Sequence, residues 1–150
     1  MTMTMTEGRR TLFVAEPPAR YMARPPIVVD CSTIAGLVFM EHWHEAAQAQ
    51  IQGRTLHAPH LIDCEIANVA LKKLRRDGVD IAIGGLERVA SLDITLHPIR
   101  TVAVVQLAQR YQLSAYDAAY LWLAAELPAP LATFDAKLAE AARLHLGSLS

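Results

Sequence analysis

No apolar run in this chain approaches the ~18–20 residues that a helical membrane span requires, and Thr11 to Ala15 is too short for the core of a secretory signal. The expected setting is therefore the cytoplasm, without membrane attachment. Cysteine is scarce: Cys31 and Cys64 are the only 2, which excludes a disulfide framework and leaves no C-x-x-C metal pair. Both are expected to serve as small apolar packing residues. Neither sign of charge dominates, since 14 basic side chains face 15 acidic ones for a net charge of -1, and no whole-molecule field draws polyanions in. Any affinity for them has to be local. Charged residues are also few, at 19% against the roughly 25% of an average soluble protein, whereas 53% of residues are hydrophobic. A large buried fraction follows, and 150 residues suffice for one full core but not for two ordinary domains.

The chain divides near residue 26. Residues 1–26 hold a Met/Thr alternation (Met1 to Thr6) and four prolines, without a sustained period of 2 or 3.6, and are expected to form an extension outside the core. Leu12, Phe13, Val14 and Tyr21 are the residues by which such an arm would dock. From Ile27 onward short apolar runs alternate with amphipathic stretches. Ile27, Val28 and Val29 form a β-branched run ending at Asp30, as in a strand buried on both faces. Ser32 is placed to cap a helix through Phe39, and His42 to Gln52 reads as a second helix closed by Gly53. Thr55 to Ala58 is a short strand, Leu61 to Asp77 a long helix, and Ile81 to Ser91 a weaker helix interrupted by Gly84 and Gly85. Ile94 to His97 is a third strand, Pro98 opens a helix to Tyr111, and Ser114 begins another that lasts to about Glu126. Leu131 to Thr133 is a short last strand, and Ala136 to Leu146 the closing helix. Strands alternating with helices predict an α/β fold with a mostly parallel sheet covered by helices on both faces, so a three-layer sandwich. Such sheets place their chemistry at the carboxyl ends of the strands.

Four acids come from segments that this architecture brings to that end. Asp30 follows the first strand, Asp135 stands two residues beyond the last, Glu65 lies early in the long helix, and Asp117 is in the first turn after Ser114. Singly each has an ordinary explanation. Ser114-Ala-Tyr-Asp117 fits a capping box, Asp135 an N-cap, and Glu65 a helix dipole. Asp30 is harder to dismiss, because a charge directly after three apolar β residues is buried or nearly so. Together they argue for a cation, since crowded carboxylates repel unless neutralised. Oxygen donors suit Mg²⁺ or Mn²⁺, whereas His42 and His44, two apart on a helix, face different ways and make a poor zinc pair. At ~100° per residue, Glu65, Asn68, Lys72 and Arg76 share a stripe roughly 80° wide on the long helix. This puts an amide and two cations on the face of one acid, where Asn68 can hold a carboxylate or water and Lys72 and Arg76 can meet phosphates. Lys73 and Arg75 would extend that basic patch.

The motifs Ile27-Val-Val-Asp30-Cys-Ser32, Pro59-His-Leu-Ile-Asp-Cys-Glu65-Ile-Ala-Asn68, Leu113-Ser-Ala-Tyr-Asp117-Ala-Ala-Tyr120 and Leu131-Ala-Thr133-Phe-Asp135 resemble, in order and spacing, those of PIN-domain ribonucleases, specifically VapC-like toxins. The resemblance covers residues 27–147 and implies a PIN domain there. It implies that Asp30, Glu65, Asp117 and Asp135 bind one or two divalent ions, that Ser32 and Thr133 orient ligands or water, and that Asn68 is the helix amide of the family. The implied activity is Mg²⁺- or Mn²⁺-dependent hydrolysis of RNA phosphodiesters, with a small antitoxin as partner. Tyr116, Tyr120, Trp43 and Trp122 are then candidates for stacking on bases, or else core aromatics. The helix from Ala115 to Glu126, apolar on most sides, belongs in the core or at the interface of a homodimer. Two departures stand out: the 26-residue leader is extra, and only Ser148, Leu149 and Ser150 remain after the last helix where many members add a strand, so the sheet has four strands or five. Two other classes stay open. One is a different Mg²⁺ phosphohydrolase with Asp30 as nucleophile, although Asp30-Cys-Ser32 lacks the second acid of that motif. The other is a catalytically silent PIN-like binding module, whose mark would be a lost acid.

Overall fold

The structure, a computed structural model, describes residues 2–7, 10–15 and 24–149. In the leader, β1 (Thr2–Glu7) pairs antiparallel with β2 (Arg10–Ala15), Thr2 opposite Ala15 and Glu7 opposite Arg10. The Met/Thr alternation is thus a strand pattern of period 2, where the sequence reading saw no sustained period. Docking by Leu12, Phe13, Val14 or Tyr21 falls on side chains outside the described residues.

The remaining elements are β3 (Pro26–Val29), α1 (Cys31–Val38), α2 (His44–Ile51), β4 (Thr55–Pro59), α3 (Ile62–Asp77), α4 (Val79–Ser91), β5 (Ile94–His97), α5 (Thr101–Tyr111), α6 (Ala115–Glu126), β6 (Leu131–Ala132) and α7 (Ala136–Gly147). The main sheet is four-stranded in the order β5-β4-β3-β6, and every pairing in it is parallel. The expected α/β sandwich is therefore present, in its four-stranded form among the described residues. Ile27, Val28 and Val29 are buried to within 1% because β3 is an inner strand with helices over it, which is why it reads as an unbroken β-branched run.

Helix α6 packs across β3, β4 and β6 and lies against α5 and α7, while α1, α2, α3 and α4 pack on one another. Residues Ala118 to Ala124 of α6 are all buried, so this helix is core. Several expected boundaries shift. Helix α4 runs without a break from Val79 through Gly84 and Gly85, because Gly85 lets it approach the Phe39 ring. Pro98 stands three residues ahead of α5 instead of opening it, and α2 begins at His44. Helix α1 is capped by Asp30, not by Ser32: the Asp30 carboxylate accepts from the Thr33 backbone N–H.

Candidate active site

Strand β3 delivers Asp30 to the carboxyl edge of the sheet, and Asp30 is only 6% exposed there. A carboxylate so placed is tolerable when both of its oxygens are hydrogen-bonded, and they are. Its Oδ1 accepts from Ser32 Oγ at 2.7 Å and from the Thr33 N–H at 3.0 Å, with Thr33 Oγ1 a further 3.1 Å away. Its Oδ2 accepts from Thr133 Oγ1 at 2.5 Å. Ser32 and Thr133 thus both donate to Asp30. Thr33 was missed, though an Asp followed by hydroxyl residues two and three places on is a recognisable Asx and N-cap pattern.

The stretch after β6 is fastened to the same carboxylate. Thr133 Oγ1 accepts from the Asp135 N–H at 3.0 Å, and Ser32 Oγ accepts from the Phe134 N–H at 2.9 Å. Thr33 Oγ1 also lies 2.9 Å from the Ala132 carbonyl. Asp135 caps α7 by accepting from the Leu138 N–H at 2.8 Å, and it remains exposed. Across the site, α3 presents Glu65 half-buried, and its Oε1 accepts from the Tyr120 hydroxyl at 2.5 Å. Asp117 sits in the first turn of α6, where its backbone N–H donates to the Ser114 Oγ cap at 3.1 Å.

Electrostatics ties the acids together. Burial pushes the Glu65 carboxyl above the ordinary range, the charges of Asp117 and Asp30 push it further, and the Tyr120 hydrogen bond opposes them. Burial likewise raises Asp117, assisted by the charges of Asp135 and Asp30 and resisted by Ser114 and Lys137. Four carboxylates from four segments therefore feel one another in one region. The Cys31 thiol is pushed up to about 12, first by burial and then by Glu65 and Asp30 against the pull of Lys72, so it stays protonated. Cys64 is exposed, contrary to its expected packing role: two residues from both Ile62 and Ile66, it lies about 200° around α3 from each.

Asn68, Lys72 and Arg76 share the outer face of α3 with Glu65. Lys72 is near enough to act on the Cys31 thiol, whereas the Asn68 amide, among the described residues, bonds to none of the acids. Lys73 leaves the expected basic patch, since one residue along the helix turns it 100° toward Glu41, with which it forms an ion pair. Tyr120 and Trp122 are buried at 1% and 8% and so are not free to stack. Tyr116 and Phe134 are exposed, and Trp43 partly so. Phe134 was not singled out from the sequence, where one aromatic inside a motif carries no distinguishing signal.

Among the described residues no three His, Cys, Asp or Glu side chains stand close enough to enclose an ion. The donor chemistry does fit a hard cation. All four candidate ligands offer carboxylate oxygens whose mutual repulsion a divalent ion would relieve, and the Cys31 sulfur beside Glu65 and Asp30 is a protonated thiol. Three of the histidines are engaged elsewhere: His44 Nδ1 meets the Leu37 carbonyl, and His57 pairs with His97 across β4 and β5.

A family model described as the PIN domain matches residues 27–144. A protein named VapC ribonuclease Mb0985, from Mycobacterium bovis, is 36% identical over 116 residues, covering 76% of this chain and 89% of its own. Ribonuclease VapC3 of Pyrobaculum aerophilum is 34% identical over 121 residues, covering 76% and 92%. Among solved structures, PAE2754 from Pyrobaculum aerophilum superposes with a TM-score of 0.62 at 23% identity over 84% of this chain and 90% of that one. Mycobacterium tuberculosis VapC20, described as a sarcin-ricin loop cleaving toxin, superposes with a TM-score of 0.57 at 16% identity over 77% and 94%.

Proposed function

The chain belongs to the PIN-domain family and is VapC-like, and from that premise we propose that it is a Mg²⁺- or Mn²⁺-dependent endoribonuclease, the toxin of a toxin–antitoxin pair. The observation that carries this reading is the electrostatic coupling of Asp30, Glu65, Asp117 and Asp135 at the carboxyl edge of the sheet. These residues would hold the cation, which when bound lowers the pKa of water and stabilises charge on a phosphate undergoing in-line attack. The chain's own residues supply positioning. Ser32, Thr33 and Thr133 fix both oxygens of Asp30, so that this ligand loses little freedom when it binds. Tyr120, whose phenol is raised well above its ordinary range by burial first and by Glu65 next, stays a donor and fixes Glu65. Lys72 and Arg76 on the same face of α3 would take the flanking phosphates as point charge and fork.

The partners follow from exposed apolar surface. Leu71 and Leu74, 49% and 44% exposed on α3 but turned about 120° and 180° away from Glu65, favour an antitoxin segment that packs along this helix beside the site and not over its entrance. Val102 and Val105 on α5, 72% and 55% exposed, favour a second copy of the chain, so the homodimer contact is expected there and not at α6.

The test is Asp30→Asn. This isosteric change keeps the N-cap acceptor but removes the charge, so RNA cleavage in Mn²⁺ is expected to fall by at least about a thousandfold, with circular dichroism unchanged. Full activity of this variant on the RNA that wild type cuts would sink the assignment.

A further inference from the structure

The carboxylates grip a phosphodiester backbone and carry no information about bases, so a ribonuclease with sequence preference needs a separate surface for an unpaired base. One aromatic pair is built into the site. Phe134 lies between the two site residues Thr133 and Asp135, its backbone N–H donates to Ser32 Oγ at 2.9 Å, and that hydroxyl donates to Asp30 at 2.7 Å. Its ring is nevertheless 43% exposed, an unusual position for a phenylalanine that has a core within reach.

Trp43 stands beside it, the ring centroids 5.9 Å apart and the planes tilted by 42°. The indole is fixed from two sides. Its Nε1 donates to the Ser32 carbonyl at 3.1 Å, and it lies so close over Gly36 that a Cβ there would overlap the pyrrole edge of the ring. Next to Phe134 opens a cleft of about 150 Å³, lined by Leu131, Ala132, Thr133 and Phe134 on the sheet side and by Ala46 and Gln50 of α2 on the other. Rigid aromatic surface and one adaptable amide, at the margin of the acid cluster, are the components with which proteins hold and read a splayed base.

We propose that Phe134, backed by Trp43, is the stacking platform for an unpaired base flanking the cleaved bond, and that the Gln50 amide reads the edge of that base. The proposal rests on the ribonuclease reading above, and its test separates the two. In an Asp30→Asn background, where RNA stays intact, Trp43 fluorescence reports binding directly, because Trp122, the other of the 2 tryptophans, is buried. Unstructured RNA hexamers of A, C or U are expected to quench that signal unequally. Phe134→Ala should weaken binding about tenfold, and Phe134→Tyr should restore it. With native acids, cleavage of a randomised single-stranded RNA library followed by end-sequencing should show a preferred base at one fixed place beside the cut. Phe134→Ala should flatten that preference and raise KM more than it lowers kcat, and Gln50→Leu should change which base is preferred.

Wild-type cleavage with Phe134→Ala unchanged in hexamer binding, KM and base preference overturns the platform and leaves the ribonuclease reading standing. The platform is equally overturned if Phe134→Ala affects only the binding of a partner protein. A wild-type protein that cuts no RNA while its hexamer quenching still depends on Phe134 refutes the ribonuclease reading and upholds the base site.

Discussion

At the scale of single residues, two environments divide the acids. Asp30 is surrounded by donors and structurally satisfied, whereas Glu65 and Asp117 are lifted above the ordinary carboxyl range by burial and by neighbouring negative charge. The sign of the consequence is fixed. A folded-state pKa above the unfolded value favours the protonated acid in the fold, so the stability associated with it is present below the unfolded pKa and is lost as pH rises through the folded one. Near neutral pH both groups therefore work against the metal-free fold. Asp117→Asn is expected to raise the Tm of the metal-free protein while suppressing cleavage, and to diminish the rise in Tm that Mn²⁺ gives wild type. Calorimetry with and without Mn²⁺ checks this, and a lowered metal-free Tm would mean that the hydrogen bond between the Asp117 side chain and Ser114 outweighs the burial of its charge.

Two contacts between elements govern the frame around the site. Helix α4 reaches the end of α1 because Gly85 has no side chain: a Cβ would run into the Phe39 ring, and Arg88 seals the contact by donating to the Val38 carbonyl at 2.5 Å. Gly85→Ala gains helix propensity but overpacks a buried ring, so a net loss of about 1–2 kcal/mol is expected in denaturant unfolding. Much of it should return in Gly85→Ala combined with Phe39→Leu. The second contact joins β4 to β5, where His57 Nδ1 lies 2.9 Å from His97 Nε2 and His57 Nε2 lies 3.0 Å from Thr55 Oγ1. Burial first and His97 second lower the His57 pKa, so the unfolded chain takes up this proton before the native one does. That stability is full above an unfolded pKa of about 6.5 and is lost as pH falls below it. His57→Asn should accordingly show a smaller drop in Tm between about pH 7.5 and 5 than wild type does.

For the whole molecule, a net charge of -1 means that RNA is drawn by a few cations and not by an overall field. Binding of single-stranded RNA to the Asp30→Asn protein should weaken with salt on a shallow slope, flattened by about 0.7 for each phosphate contact removed in Lys72→Ala or Arg76→Ala. A slope unchanged in both variants would place the phosphates on a different face.

Much of this organisation was written in local pattern. The β-branched run before Asp30, the Ser114 cap and the 3.6-residue spacing of Glu65, Asn68, Lys72 and Arg76 predicted their elements and faces, because periodicity and capping act over a few residues. Local pattern also misled. Gly84 and Gly85 read as an interruption of α4 until Phe39, far away in sequence, supplied the reason for a glycine there. The same holds for Lys73, taken from the basic patch by Glu41, for Tyr120, whose partner Glu65 is 55 residues distant, and for Phe134, left at the surface by a hydrogen bond to Ser32 across 102 residues. The amino-acid sequence by itself determined the alternation of strands and helices and which acids would reach the carboxyl edge of the sheet, since both follow from spacing along the chain. Only the tertiary structure decided which donors hold each acid, which aromatics stay in the open and which cations remain free, since those outcomes depend on side chains meeting across distances that no local pattern records.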